Sequence, residues 1–171
     1  MAERTITTES LRVTRVRVRV VPVLSTMIAS LAALAPLVST APLMPPLGFL
    51  MLLAWRLLRP ELWPVWIGLP LGLFDDLVSG QPLGTAISLW TLTLLVLDLM
   101  DSYFIWRDFW IDWLVGAIFA IIYMLAGYWF SGLRDSPMAI ETLLPQIALS
   151  ILCFPGLVRI CVRLDRWRLP L

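Results

Sequence analysis

The chain has 171 residues, of which 60% are hydrophobic and only 15% charged, with a formal net charge of +1. Soluble domains are nearer half apolar and about a quarter charged, so a mean hydropathy of +0.87 excludes an ordinary soluble enzyme and points to a polypeptide dissolved in lipid, where apolar surface need not be hidden. The near-neutral balance excludes a broad nucleic-acid surface, and with no His and no Lys in the chain a His-based triad, a His metal site, a Schiff-base lysine and a P-loop lysine are excluded as well.

Residues 1–19 are polar and Arg-bearing, and the apolar run after them has no clear small-residue cleavage site. The first helix is therefore expected to stay in the mature protein. Within this tail Arg12, Arg15, Arg17 and Arg19 interleave with Val13, Val16, Val18 and Val20. Such alternation predicts an extended, strand-like segment. Two readings fit it: an anchor on anionic lipid, at about 1 kcal/mol per Arg near the surface, or a β-type contact with a partner.

Six apolar segments follow. The first runs about Val20 to Ser39 and is free of charge, long enough to cross a hydrocarbon core of about 30 Å. Pro22 is placed in its first turn, where a missing N–H costs little. The second, Leu43 to Leu58, opens with Pro45-Pro46 and closes at Arg56 and Arg59. It is short, and Arg56 is expected to snorkel to the interface. The third, Leu62 to Val78, opens with Trp63 and Trp66. The fourth, Leu83 to Met100, is charge-free until Asp98, and the fifth, Phe109 to Phe130, carries Asp112 in its first turn. The sixth, Glu141 to Ile160, contains Pro145, Pro155 and Cys153, with Cys161 just beyond. Both cysteines read as free thiols packed along a helix. A count of five spans, or a re-entrant pair from the second and third segments, is the alternative.

Charge orients the bundle. With the N terminus inside, twelve arginines fall on the cytoplasmic side and only Arg134 on the other. The cytoplasmic set includes Arg4, Arg107, Arg159, Arg163, Arg166 and Arg168. That bias closes only with an even number of spans. Trp63, Trp66, Trp106, Trp110, Trp113 and Trp129 fall near predicted helix ends, as an interfacial aromatic belt would. The expected fold is an all-α membrane protein, a bundle of about six transmembrane helices with both termini cytoplasmic. One helical domain over residues 20–160 lies between a cytoplasmic Arg-rich tail, 1–19, and a cytoplasmic basic tail, 161–171.

The sharpest motif is Gly68, Gly72, Asp76 and Gly80, each four residues after the last. On a helix these share one face, and small residues at this spacing let another helix approach closely. Asp76 reads either as a proton, cation or partner-contact site, or as an acid that hydrogen-bonds the backbone of the next turn and fixes the connection to segment four. Asp75 points elsewhere. A second cluster gathers Asp98, Asp101, Asp108 and Asp112 around Arg107, with Arg56 and Arg59 from the neighbouring loop. It reads as salt-bridged loop packing or as a docking surface for a cytoplasmic partner. The motifs G-x-S-x-G, H-E-x-x-H and Gly-rich phosphate loops are absent, no cofactor or metal set is expected, and the chain reads as no enzyme.

The run from Gly72 to Gly84, GLFDDLVSGQPLG, resembles the signature of the rod-shape-determining MreD family. The shared pattern falls on Gly72, Asp76, Leu77, Gly80, Leu83 and Gly84. Two upstream stretches, PPLGFLMLLAW from Pro45 to Trp55 and RPELWP from Arg59 to Pro64, also fit. The resemblance implies a non-enzymatic inner-membrane component of the bacterial cell-elongation machinery. Its implied partners are a bitopic MreC-like protein, the actin-like MreB, the glycosyltransferase RodA and a penicillin-binding transpeptidase, besides membrane lipids. It further implies a fold similar to the substrate-binding subunits of energy-coupling-factor transporters. On that analogy the competing function is a small-molecule-binding transport subunit, which would need polar groups converging near the bilayer midplane.

Overall fold

The computed structural model describes residues 8–34, 44–80, 82–101, 109–132 and 140–168. Among them every regular element is helical. The six α-helices are α1 (Thr8–Leu31), α2 (Leu47–Leu58), α3 (Gly68–Ser79), α4 (Thr85–Asp101), α5 (Phe109–Gly132) and α6 (Ile140–Arg168). Arg4, Arg107, Asp108, Arg134 and Trp106 lie outside the described residues.

The Arg/Val stretch is helical, not extended, because α1 starts at Thr8. An unpaired strand would leave its backbone N–H and C=O groups without partners, whereas a helix pairs them within the segment. The helix propensity of Val is lower than that of Ala by only about half a kcal/mol, too little to stop a helix that continues into an apolar run. Pro22 therefore sits inside α1 rather than in a first turn. The hydroxyls of Ser25 and Thr26 donate to the Pro22 carbonyl at 2.9 and 2.8 Å.

Prolines set the limits of the next two helices. Pro45 and Pro46 precede α2, and their carbonyls accept from Leu47 and Leu50 at 2.8 and 3.0 Å. A residue before proline avoids the helical region. Arg59, before Pro60, has φ −142° and ψ 81°, and Trp63, before Pro64, has φ −112° and ψ 84°. The stretch expected to begin the third segment at Leu62 is thus spent on two 3₁₀ turns, Pro60–Leu62 and Val65–Ile67, and α3 starts only at Gly68. Trp63, placed at an interface by the sequence pattern, is instead folded into the core at 2% exposure, while Trp66, Trp110 and Trp129 are exposed.

The core is built around α2, whose residues Gly48 through Leu57 are all buried. Helices α1, α5 and α6 pack on it, and α3 pairs with α4. Two helices contain stretches long and apolar enough to cross a membrane unaided, Trp110–Phe130 in α5 and Leu143–Arg168 in α6. Most of each stretch is not buried within the protein, unlike the core helix of a soluble protein. Ile118, Ile122 and Leu125 on α5 and Leu144 and Leu152 on α6 present bare apolar surface, which lipid accepts without cost. The helix α6 does not stop at Ile160. It runs through the segment read as a basic tail to Arg168, with Pro145 and Pro155 inside it.

Candidate functional site

The glycine–aspartate stripe of α3 faces α4. A Cβ at Gly68 would stand 2.9 Å from the Thr91 backbone, and one at Gly72 would stand 2.7 Å from the Ile87 backbone. Two positions four apart on α3 thus meet two positions four apart on α4, the signature of antiparallel helices in backbone contact.

One turn further on, Asp76 reaches the start of α4. Its Oδ1 accepts the Ala86 N–H at 2.7 Å, and its Oδ2 accepts the Gly84 N–H at 2.8 Å and the Ile87 N–H at 3.4 Å. The first N–H groups of a helix have no partners within it. A carboxylate there meets those donors and the positive end of the helix dipole together. Asp76 caps α4 from a different helix and is 2% exposed.

Gly80 does not share this face. It lies past the end of α3 with φ +68°, and nothing stands within 4 Å of where its Cβ would be. A left-handed residue after the last turn is a common helix ending, and glycine enters it without steric penalty. Gly84, with φ +100°, completes the reversal. Leu77 and Leu83, 66% and 71% exposed, point away from the joint as apolar surface.

Asp75 turns to the core instead. Tyr123 Oη on α5 donates to its Oδ2 at 3.5 Å. A Cβ at Gly48 on α2 would collide with Ser30 Oγ of α1 and stand 2.9 Å from Asp75 Oδ1. The absence of a side chain at Gly48 on α2 therefore opens the space in which three other helices bring polar groups together. Phe49 stacks on Tyr123 at a centroid separation of 4.2 Å and closes the cluster on one side. Nothing in the local sequence flagged this grouping, since its members are 45 residues or more apart from Asp75 to either Ser30 or Tyr123.

At the opposite end of α2 the charged residues divide into two joints. Arg56, expected to reach the interface, is 2% exposed and pairs inward with Asp98 at 3.2 Å and Asp101 at 2.8 Å on α4. It sits in the fully buried stretch of α2, so its side chain is covered by the neighbouring helices rather than extended into solvent. Arg59 does not join that pair. Its Nε and Nη2 donate to Asp165 Oδ2 on α6 at 3.2 and 2.9 Å. Arg168 donates to Asp165 Oδ1 through Nε at 2.7 Å and also through Nη2, and lies 5.1 Å from the centroid of Trp55. One carboxylate thus joins two guanidinium groups and ties α2 to α6. A lone acid among the arginines of α6 was the available sequence signal for it.

Asp112 lines a cavity of 280 Å³ between α2, α5 and α6, and the other wall residues among the described ones are apolar. Cys153 and Cys161 are free, and Cys161 packs against Met51. Among the described residues no three acids or cysteines gather as a metal site requires.

Comparison with known proteins adds the family. Residues 14–164 match the model described as rod shape-determining protein MreD. Neither the curated proteins nor the solved structures compared with the chain give a match. The match covers most of the chain, from within α1 to within the last turns of α6, and on it this chain belongs to the MreD family of rod shape-determining membrane proteins.

Proposed function

We propose that the chain is a non-enzymatic inner-membrane scaffold of the bacterial cell-elongation complex. In this reading it crosses the membrane six times, keeps both termini in the cytoplasm, and holds an MreC-like bitopic partner beside MreB, RodA and a penicillin-binding transpeptidase. The observation that carries the reading is the family match across residues 14–164, which takes in the whole helical core.

The geometry supports it in kind. The buried polar groups at Asp76, Arg56 and Asp165 serve as helix-to-helix joints. A transport subunit would instead line a mid-depth cavity with polar side chains, and among the described residues the cavity between α2, α5 and α6 has one polar wall residue, Asp112. What the fold offers outward is helix surface, chiefly on α5 and α6.

Depletion in a rod-shaped host tests the role. Rounding of the cells, reversed by re-expression, is the expected result, and rods of unchanged width would overturn it. Co-purification of an MreC-like protein with the tagged chain tests the partner separately.

A further inference from the structure

We propose that the cleft between α2, α5 and α6 holds one acyl chain of an anionic phospholipid, with the lipid phosphate at the arginine-rich end of the bundle. The inference rests on the cleft and its rim, not on the role in cell shape.

The cleft has a volume of 280 Å³ and is walled by Ala54 and Leu57 of α2, Trp113 of α5, and Phe154, Pro155 and Val158 of α6. Pockets for compact ligands run to about 300–1,000 Å³ and carry several placed polar groups. This one is at the narrow limit and nearly all apolar. A helix of about 10 Å diameter cannot enter it, whereas a hydrocarbon chain can. Pro155 contributes a ring and no N–H, so that stretch of wall offers no backbone donor to a polar ligand.

The rim supplies charge of the matching sign. The last α2 residue lining the cleft is Leu58, and the next is Arg59, whose side chain is 49% exposed while its guanidinium is fixed by Asp165. A guanidinium carries five N–H donors in a planar fork suited to phosphate oxygens. Val158, Val162 and Asp165 fall on one stripe of α6, so the Arg59–Asp165 pair closes the end of the slot. By helical spacing Arg159 and Arg166 lie beside that stripe. With Arg163 they are exposed. Asp112, the acidic wall residue, lies in the first turn of α5; its carboxylate repels a phosphate, so the attraction rests on the exposed arginines.

The test uses the full chain purified in detergent and examined by native mass spectrometry with added phosphatidylglycerol or phosphatidylcholine. The wild type is expected to retain phosphatidylglycerol about fivefold or more over phosphatidylcholine, in line with the attraction of a few arginines near a lipid phosphate. Val158→Trp, which fills the slot, should abolish retention of both lipids with helix content and melting temperature unchanged. The pair Arg159→Gln and Arg166→Gln, which leaves the Arg59–Asp165 joint intact, should bring the ratio close to one. Equal retention of the two lipids by the wild type, or undiminished retention by Val158→Trp, would overturn the proposal. If Val158→Trp fails to fold, a small diazirine amino acid at position 158, photolysed in whole membranes, decides the matter. A phospholipid adduct supports the site. Attachment to another polypeptide, or no lipid adduct, refutes it.

Discussion

Asp76 on α3 and Ala86 on α4 are joined by a 2.7 Å hydrogen bond from the α4 amide to the buried carboxylate. The motif acid thus closes a helix end that its own helix does not contain. Hydrogen bonds to charged groups contribute about 1.5–3 kcal/mol. Replacing Asp76 with Ala should therefore destabilise the purified protein by about 2–4 kcal/mol. Asp76→Asn keeps one carbonyl acceptor and should lose less. Unfolding in detergent followed by circular dichroism would rank the three proteins, and an Ala variant as stable as wild type would remove the capping role.

The backbone approach at Gly72 leaves no room for a methyl group, since the nearest atoms are backbone Cα and N of Ile87 at 2.7 Å. Gly72→Ala should cost about 1–3 kcal/mol by overpacking, and Gly72→Leu should not accumulate in membranes. Gly156→Ala meets nothing within 4 Å and should be neutral or stabilising by up to about 1 kcal/mol. Comparable melting temperatures for Gly72→Ala and Gly156→Ala would contradict the close approach.

At the other end of the bundle the two acids facing Arg56 should not be equivalent. Asp98 is 64% exposed and Asp101 26%. An exposed pair contributes about 0–1 kcal/mol, while removing a partner from a buried charge costs several kcal/mol. Asp101→Asn should therefore lower stability more than Asp98→Asn. The reverse order in chemical denaturation would show that the buried guanidinium depends on Asp98.

Asp165 serves Arg59 and Arg168 together, so Asp165→Asn should destabilise by about 3–5 kcal/mol. The loss should exceed that for Arg59→Gln, whose side chain is half exposed. Limited proteolysis of the α6 end offers a direct readout. Cleavage near residue 165 should quicken in Asp165→Asn and stay slow in Arg59→Gln.

Much of this architecture could be read from the residues, because its causes are local. The apolar segments mark α4 and α5 to within about two residues, and the spacing of Gly68, Gly72 and Asp76 announces a helix face with room for a close neighbour. The errors share a physical origin. Alternating Arg and Val looks like a strand only when the apolar run that follows is ignored. The end of α6 looks like a tail because Arg163 and Arg166 are polar, yet Asp165 and Arg168 on the other side are buried. Asp75, Ser30 and Tyr123 meet only after four helices have packed, and no spacing within one segment encodes that meeting. Gly80 kept the four-residue rhythm but stands one step beyond the helix, where backbone conformation and not packing is what glycine supplies.

The shortness of α3 bears on how the chain is built. Its twelve residues extend about 18 Å, well short of a hydrocarbon core of about 30 Å. Emerging alone from a ribosome-bound insertion channel, such a segment would be a poor candidate for partitioning into lipid, the more so with two carboxylates near its end. Once α4 has followed and its first amides have found Asp76, the pair can leave the channel as a single hairpin with that charge already covered. The order of synthesis places the acceptor before the donors, so the Asp76 carboxylate finds its cover only once the second helix has been made.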